Sequence, residues 1–208
     1  LSITEIATAP RRRSTATDVA LIATFTALIA VCALLPAFPV GPVPITLQTF
    51  AVSLSGAVLG AKRGILAALL YLVLGAAGLP IFSGGSAGLA PFAGPTVGYL
   101  IAFPFAAGLA GFLVERLPRR RIATSIPLIF LAVIAANAVF IHTLGPLGLA
   151  WRADMSIGAA FAFDLTFWPG DIIKTLLVAL VATAVHRAFP ALLPPRRRTN
   201  SELKSPRD

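Results

Sequence analysis

Apolar runs of roughly 15 to 23 residues recur along the chain, separated by short segments rich in Pro, Gly or Arg, the pattern of a polytopic helical membrane protein. Six helices are predicted, over residues 18–35, 47–59, 65–79, 96–113, 122–144 and 169–189. The second is short for a membrane span. Three connections, 36–46, 80–95 and 145–168, carry most of the Pro/Gly irregularity and the aromatics. The segment Pro80 to Pro95 is too rich in Gly and Pro for a regular helix and too apolar for a solvated loop. Irregular backbone at membrane depth survives only where protein buries it or a cavity meets it, so this stretch is predicted to fold back into the mouth of the bundle. The connection after residue 144 is long enough for a short interfacial helix. No internal repeat stands out.

Charge then sets orientation. Of 17 Lys and Arg residues, all but Arg152 and Lys174 lie at the termini or in the turns at 62–63 and 116–121, which fall on one side of a six-span arrangement. By the positive-inside rule that side is cytoplasmic, and both termini are there. In a soluble protein a net charge of +9 would suggest a nucleic-acid partner. Here the basic clusters are topology signals, so none is expected. The sequence divides into a flexible basic arm at 1–17, closed by Arg11–Arg13, a membrane domain at 18–190 and a basic tail at 191–208. No removable signal peptide is read from the first apolar run. Cys32 stands alone inside an apolar helix, which excludes an internal disulfide; the bulky Val31 before it does not suit a lipoprotein processing site.

The most informative stretch is Phe167-Trp-Pro-Gly-Asp-Ile-Ile-Lys174. Proline suits the first helical position and tryptophan the membrane interface, so Trp168-Pro169 is read as the outer end of a span. Asp171 and Lys174 follow within two turns, three residues apart and on one face. Charges at that depth are expensive and are usually retained for a task. Either the pair fixes helix packing or it meets a polar ligand inside the bundle. In the first helix Ala20, Ala23, Ala27 and Ala30 form a narrow small-residue stripe where another helix can approach, from this chain or from another subunit. No G-x-x-x-x-G-K-[ST] loop occurs, so the chain has no ATPase motif of its own. His142 and His186 are isolated, placed near opposite ends of the bundle and read as interfacial residues, and no metal cluster is expected. No nucleophile–base pair with a third partner is present, which argues against an intramembrane hydrolase.

Four segments in register, Val43-Pro-Ile-Thr-Leu-Gln-Thr49, Ala76-Ala-Gly-Leu-Pro-Ile-Phe82, Gly94-Pro-Thr-Val-Gly-Tyr99 and Phe167 to Lys174, resemble the biotin-binding S-component (BioY) family of energy-coupling-factor (ECF) transporters. The resemblance covers residues 18–190. It implies an all-α, six-helix subunit of the cell membrane, in contact with lipid, that captures biotin from outside without a cofactor. It also implies partnership with a transmembrane coupling subunit and two ABC-type ATPases; the alanine stripe is the expected docking face. On this reading Asp171 accepts from the ureido N–H groups, since an ionised carboxylate is a strong acceptor. Lys174 donates to the ureido oxygen, steadies Asp171 or meets the tail carboxylate. Gln48 and Thr49 add uncharged hydrogen bonds, and Phe82 and Tyr99 wall the apolar ring. Gly84 and Gly85 let the backbone approach the ligand, and Ser83 beside them is a further expected contact. The family often has a more polar residue after Phe82-Ser83 where this chain has Gly84-Gly85. The rival readings are an S-component for another vitamin, an intramembrane enzyme, and a structural or receptor-like membrane protein.

Overall fold

The computed structural model describes residues 15–118, 122, 125–190 and 192–193. Among them are eight α-helices and no strand: α1 (Thr15–Leu34), α2 (Gln48–Leu59), α3 (Ala61–Ala76), α4 (Ala90–Ala93), α5 (Val97–Arg116), α6 (Ile126–Arg152), α7 (Ile157–Asp164) and α8 (Trp168–Ala188). A single β-bridge, Phe38 to Ile45, pins the connection after α1. Four helices, α1, α5, α6 and α8, are long and apolar enough to cross a membrane. The all-α membrane class holds. At ~1.5 Å per residue, α2 and α3 are shorter than the ~30 Å hydrocarbon layer.

The bundle is built around α2, which packs against α1, α3, α5, α6 and α8. Every residue from Ala51 to Leu59 is buried. Its run of Ala, Ser and Gly explains how so many neighbours fit, because small side chains let backbones approach closely. One apolar cluster, with Tyr71, Phe82, Phe103 and Ile141, surrounds the Gln48 end of this helix. A second, with Leu59, Val114, Ile129 and Val178, surrounds the Gly60 end. Large apolar side chains such as Val73, Leu131 and Ile173 point outward from the bundle and are exposed. In water that surface would be a liability; against lipid it costs nothing.

Several boundaries differ from those predicted. Lys62 and Arg63 do not form a turn: Gly60, at φ 86°, makes the whole reversal, and both cations sit in the first turn of α3. Cations at a helix N-terminus oppose the helix dipole. Arg63 is offset by an ion pair with Asp18 at 2.7 Å, and the Glu115 carboxylate accepts from the free Ala61 N–H at 3.0 Å. The helix predicted to stop at residue 144 continues through Gly145-Pro146 to Arg152. A Cβ at Gly145 would run into the Tyr99 ring, and Gly148 lies directly against Gly98. That crossing of α5 and α6 holds the segment helical despite its composition. The connection after it contains the short helix α7, as its length allowed. Of the arm expected at 1–17, residues 15–17 belong to α1; Arg11–Arg13 and nearly all of the basic tail lie outside the described residues.

Candidate functional site

Helix α8 opens with Pro169 in its first turn, a position that needs no N–H donor. Asp171 follows in that same turn, where a carboxylate is favoured by the helix dipole. Lys174 lies on the same face, and both side chains are buried. The Lys174 ammonium contacts Asp171 Oδ1 at 2.5 Å, donates to Thr49 Oγ1 at 2.9 Å and to the Thr46 carbonyl at 3.0 Å. An ammonium has three N–H groups, and these three acceptors use all of them. The Thr49 hydroxyl in turn donates to Asp171 Oδ1 at 3.0 Å. This closed polar triangle ties α8 to the start of α2, and in a dry interior removing one member strands a charge on another.

The triangle forms part of the wall of a cavity of about 330 Å³, bounded by the connections before α2 and before α5. The rest of the wall is largely apolar, with Phe82, Leu100, Phe103, Ile141 and Phe167 and several prolines. Of the residues singled out from the sequence, Gln48, Thr49, Phe82, Ser83, Tyr99, Asp171 and Lys174 all line it. Gln48 is not free: its amide donates to the Tyr71 hydroxyl at 2.6 Å and accepts from Thr46 at 3.2 Å. Tyr71 in turn donates to the Ile81 carbonyl at 3.1 Å and meets Phe82 edge to face. Phe82 can lie where it does because residue 75 is glycine; any Cβ there would enter its ring.

Gly84 and Gly85 are the exception. They do not line the cavity, and both are exposed at φ 68° and 74° with open space around them. Their left-handed backbone makes the 3₁₀ turn Ser83–Gly85 that carries Ser83 to the wall and themselves away from it.

Two polar residues that sequence reasoning did not assign to the site join it. His142, expected at the interface, is buried on α6 and stacks on Trp168 with ring centroids 4.4 Å apart. Its Nδ1 lies 2.8 Å from Asp164 Oδ2, and its Nε2 lies 3.5 Å from Asp171 Oδ2. Asp164, the last residue of α7, is also buried and accepts from the Tyr99 hydroxyl at 3.0 Å. A lone carboxylate closing the apolar run Ile157–Asp164 was the available sign that it has a task. His186 is buried as well, against the Ala57 carbonyl at 2.9 Å. No group of three or more candidate metal ligands occurs among the described residues.

The alanine stripe lies apart from the cavity. Ala20, Ala23 and Ala27 are exposed and Ala30 is half-buried, while α1 turns Thr26, Ile29, Cys32 and Ala33 into the bundle. The stripe therefore makes little packing within this chain.

Comparison with known proteins adds a family to this geometry. The BioY family model matches residues 7–191. A biotin transporter BioY of Rhizobium etli is 42% identical over 183 residues, covering 86% of this chain and 97% of the relative. One of Rhodobacter capsulatus is 41% identical over 190 residues, covering 85% and 96%. The crystal structure of an S-component for biotin from an ECF-type ABC transporter superposes with a TM-score of 0.77 at 29% identity, over 85% of this chain and 95% of that one. With the family model matching most of the chain and similarity running nearly the full length of its relatives, the chain belongs to the BioY family.

Proposed function

We propose that this chain is a membrane-embedded capture subunit for biotin uptake, coupled to the ATP-driven module of an ECF transporter. The observation that carries the proposal is the buried Asp171–Lys174–Thr49 triangle in an otherwise apolar cavity wall. Biotin matches such a wall. It presents ureido N–H donors to a carboxylate and a sulfur-containing ring to aromatic and proline side chains. The volume, about 330 Å³, falls at the low end of the ~300–1,000 Å³ typical of small-molecule sites. Asp171 is the acceptor. Lys174, whose three donors are already used, holds Asp171 in place and does not reach for the tail carboxylate. Phe82 and Tyr99 flank the ring, and Ser83 stands at the loop side.

In this reading six helices span the cell membrane: α1, α2, α3, α5, α6 and α8. The termini are cytoplasmic, and the cavity opens to the outside. The exposed face of Ala20, Ala23 and Ala27 offers a coupling subunit a flat surface for close helix approach. That subunit works with two ABC-type ATPases, which supply the energy this chain has no motif to harness.

The test is mass spectrometry of small molecules released from the denatured, purified protein. Biotin at near-equal stoichiometry is the expected result. Another vitamin would move the substrate assignment, and a chemically changed product would point to an enzyme.

A further inference from the structure

Asp171 has two carboxylate oxygens, and the triangle accounts for only one of them. Oδ1 takes Lys174 and Thr49; Oδ2 faces His142 Nε2 at 3.5 Å. The terminal torsion of an aspartate is broad and roughly two-fold, so a carboxylate anchored through one oxygen can still swing. We propose that His142, itself held by Asp164, is the positioning residue that fixes Asp171 for the ligand. The proposal rests on the reading of Asp171 as the ligand's acceptor.

Four observations support it. The ring is clamped, with Nδ1 on Asp164 at 2.8 Å and one face on Trp168. Asp164 is clamped in turn by Tyr99, whose hydroxyl donates at 3.0 Å and whose ring lines the cavity. The string from Tyr99 through Asp164 and His142 to Asp171 therefore begins and ends on the cavity wall. Next, Asp164 is placed where a carboxylate is doubly costly: buried, and at the C-terminus of a helix, whose dipole repels it. Such a group persists when a partner needs it, and its close partners are His142 and Tyr99. Finally, His142 Nε2 is buried with no hydrogen bond, aimed at Asp171 but too far for a full one. The gap leaves lone pairs of Oδ2 open to a ligand N–H while the ring still sets its direction. A ring with its proton on Nε2 presents a donor to Oδ2; one without it would turn a lone pair there.

The experiment has two arms. In the first, biotin is titrated into the wild type, His142→Gln, Asp171→Asn and the double variant, each checked for monodispersity in detergent. His142→Gln is expected to weaken binding roughly tenfold, because the second carboxylate oxygen is no longer held in one direction. In the Asp171→Asn background the same change should cost almost nothing. An equal loss in both backgrounds, or none in either, overturns the proposal. Asp164→Asn replaces His142→Gln if that variant does not fold, with the same expected dependence on Asp171. The second arm is nitrogen NMR of histidine-labelled wild-type protein. The chain has only two histidines, so one variant assigns the signals. A protonated Nε2 on His142 that shifts in Asp171→Asn supports the assignment; a bare Nε2 indifferent to Asp171 overturns it. This arm needs no biotin. A wild type that binds no biotin therefore defeats the proposed function, while the His142 assignment is still decided.

Discussion

The two ends of α2 do opposite things with the same helix. At Gln48, side chains hold neighbours apart: Thr49 reaches α8, Gln48 reaches Tyr71 on α3, and a cavity remains between them. At Gly60 the helices close up because side chains are missing. A Cβ on Gly56 would meet the Ala107 carbonyl, one on Gly64 would lie 2.7 Å from Gly56 Cα, and one on Gly111 would strike the Gly60–Ala61 backbone. Charges follow the same division. At the closed end Glu115, Arg63 and His186 bond backbone groups that the helix ends and turns leave open, and the ion pair there, Arg63 with Asp18, lies off the cavity wall. At the open end Asp171, Lys174, His142 and Asp164 bond mainly one another, and two of the four face the cavity. Charge spent on backbone groups is structural, whereas charge arranged around a space is available to a ligand.

Four substitutions test that division, and the largest effect is expected at the closed end. Gly56→Val inserts three carbons where a carbonyl already sits, at the upper end of the ~1–3 kcal/mol typical of overpacking or beyond it. Loss of the monodisperse peak in size-exclusion chromatography is expected, with or without biotin. A well-folded Gly56→Val protein would mean that the close packing there is not needed.

Asp171→Asn comes next, at the open end. It keeps the shape, removes the charge and offers a donor where an acceptor is wanted. Two charge-assisted hydrogen bonds weakened by ~1.5 kcal/mol each lower biotin affinity about a hundredfold. Unchanged affinity in a folded protein would return the pair to a packing role. Lys174→Ala should cost less, about tenfold, because it acts through Asp171. The double variant should lose less than the two together, and a strictly additive cycle would show that the residues act separately. Gly84→Ala should have the smallest effect on binding. The strain of a left-handed alanine costs about 1–2 kcal/mol in the turn, seen as a lower Tm, while affinity stays within about twofold because Gly84 is off the cavity wall. A larger fall in affinity would place that turn in the site.

What was legible in the sequence is what the membrane makes expensive. Asp171 and Lys174 stood out because nothing else in the final apolar run is charged before its end, and Trp168-Pro169 marked where the run begins. The irregular segment before α5 was legible for a similar reason, since apolar Gly/Pro backbone needs cover. Less legible were features set by distant partners. Lys62-Arg63 looked like a turn because the partners of Arg63 lie far off, at Asp18 and at the Leu192 carbonyl. The extension of α6 past residue 144 depends on Gly98 and Tyr99, which belong to another helix. His142 gave no local sign of its pairing with Asp164, 22 residues later, or with Asp171. Gly84 and Gly85 were expected beside the ligand because they follow the Ala76–Phe82 motif, whereas their backbone conformation takes them off the cavity wall.

Pro146 inside α6 has a mechanical consequence. It has no N–H, and the carbonyl that would have received one, four residues back, belongs to His142. The helix is thus one rung short at the residue that faces both buried carboxylates. Beyond that missing rung, the last segment of α6 is a short lever ending in Arg152, whose guanidinium holds the Ala93 carbonyl beside the cavity mouth. The backbone ladder is weakest at the missing rung, and the close packing of Gly145 and Gly148 against α5 is what holds the joint straight. Through the Arg152 contact, any displacement of that lever would be passed to the loop at the cavity mouth.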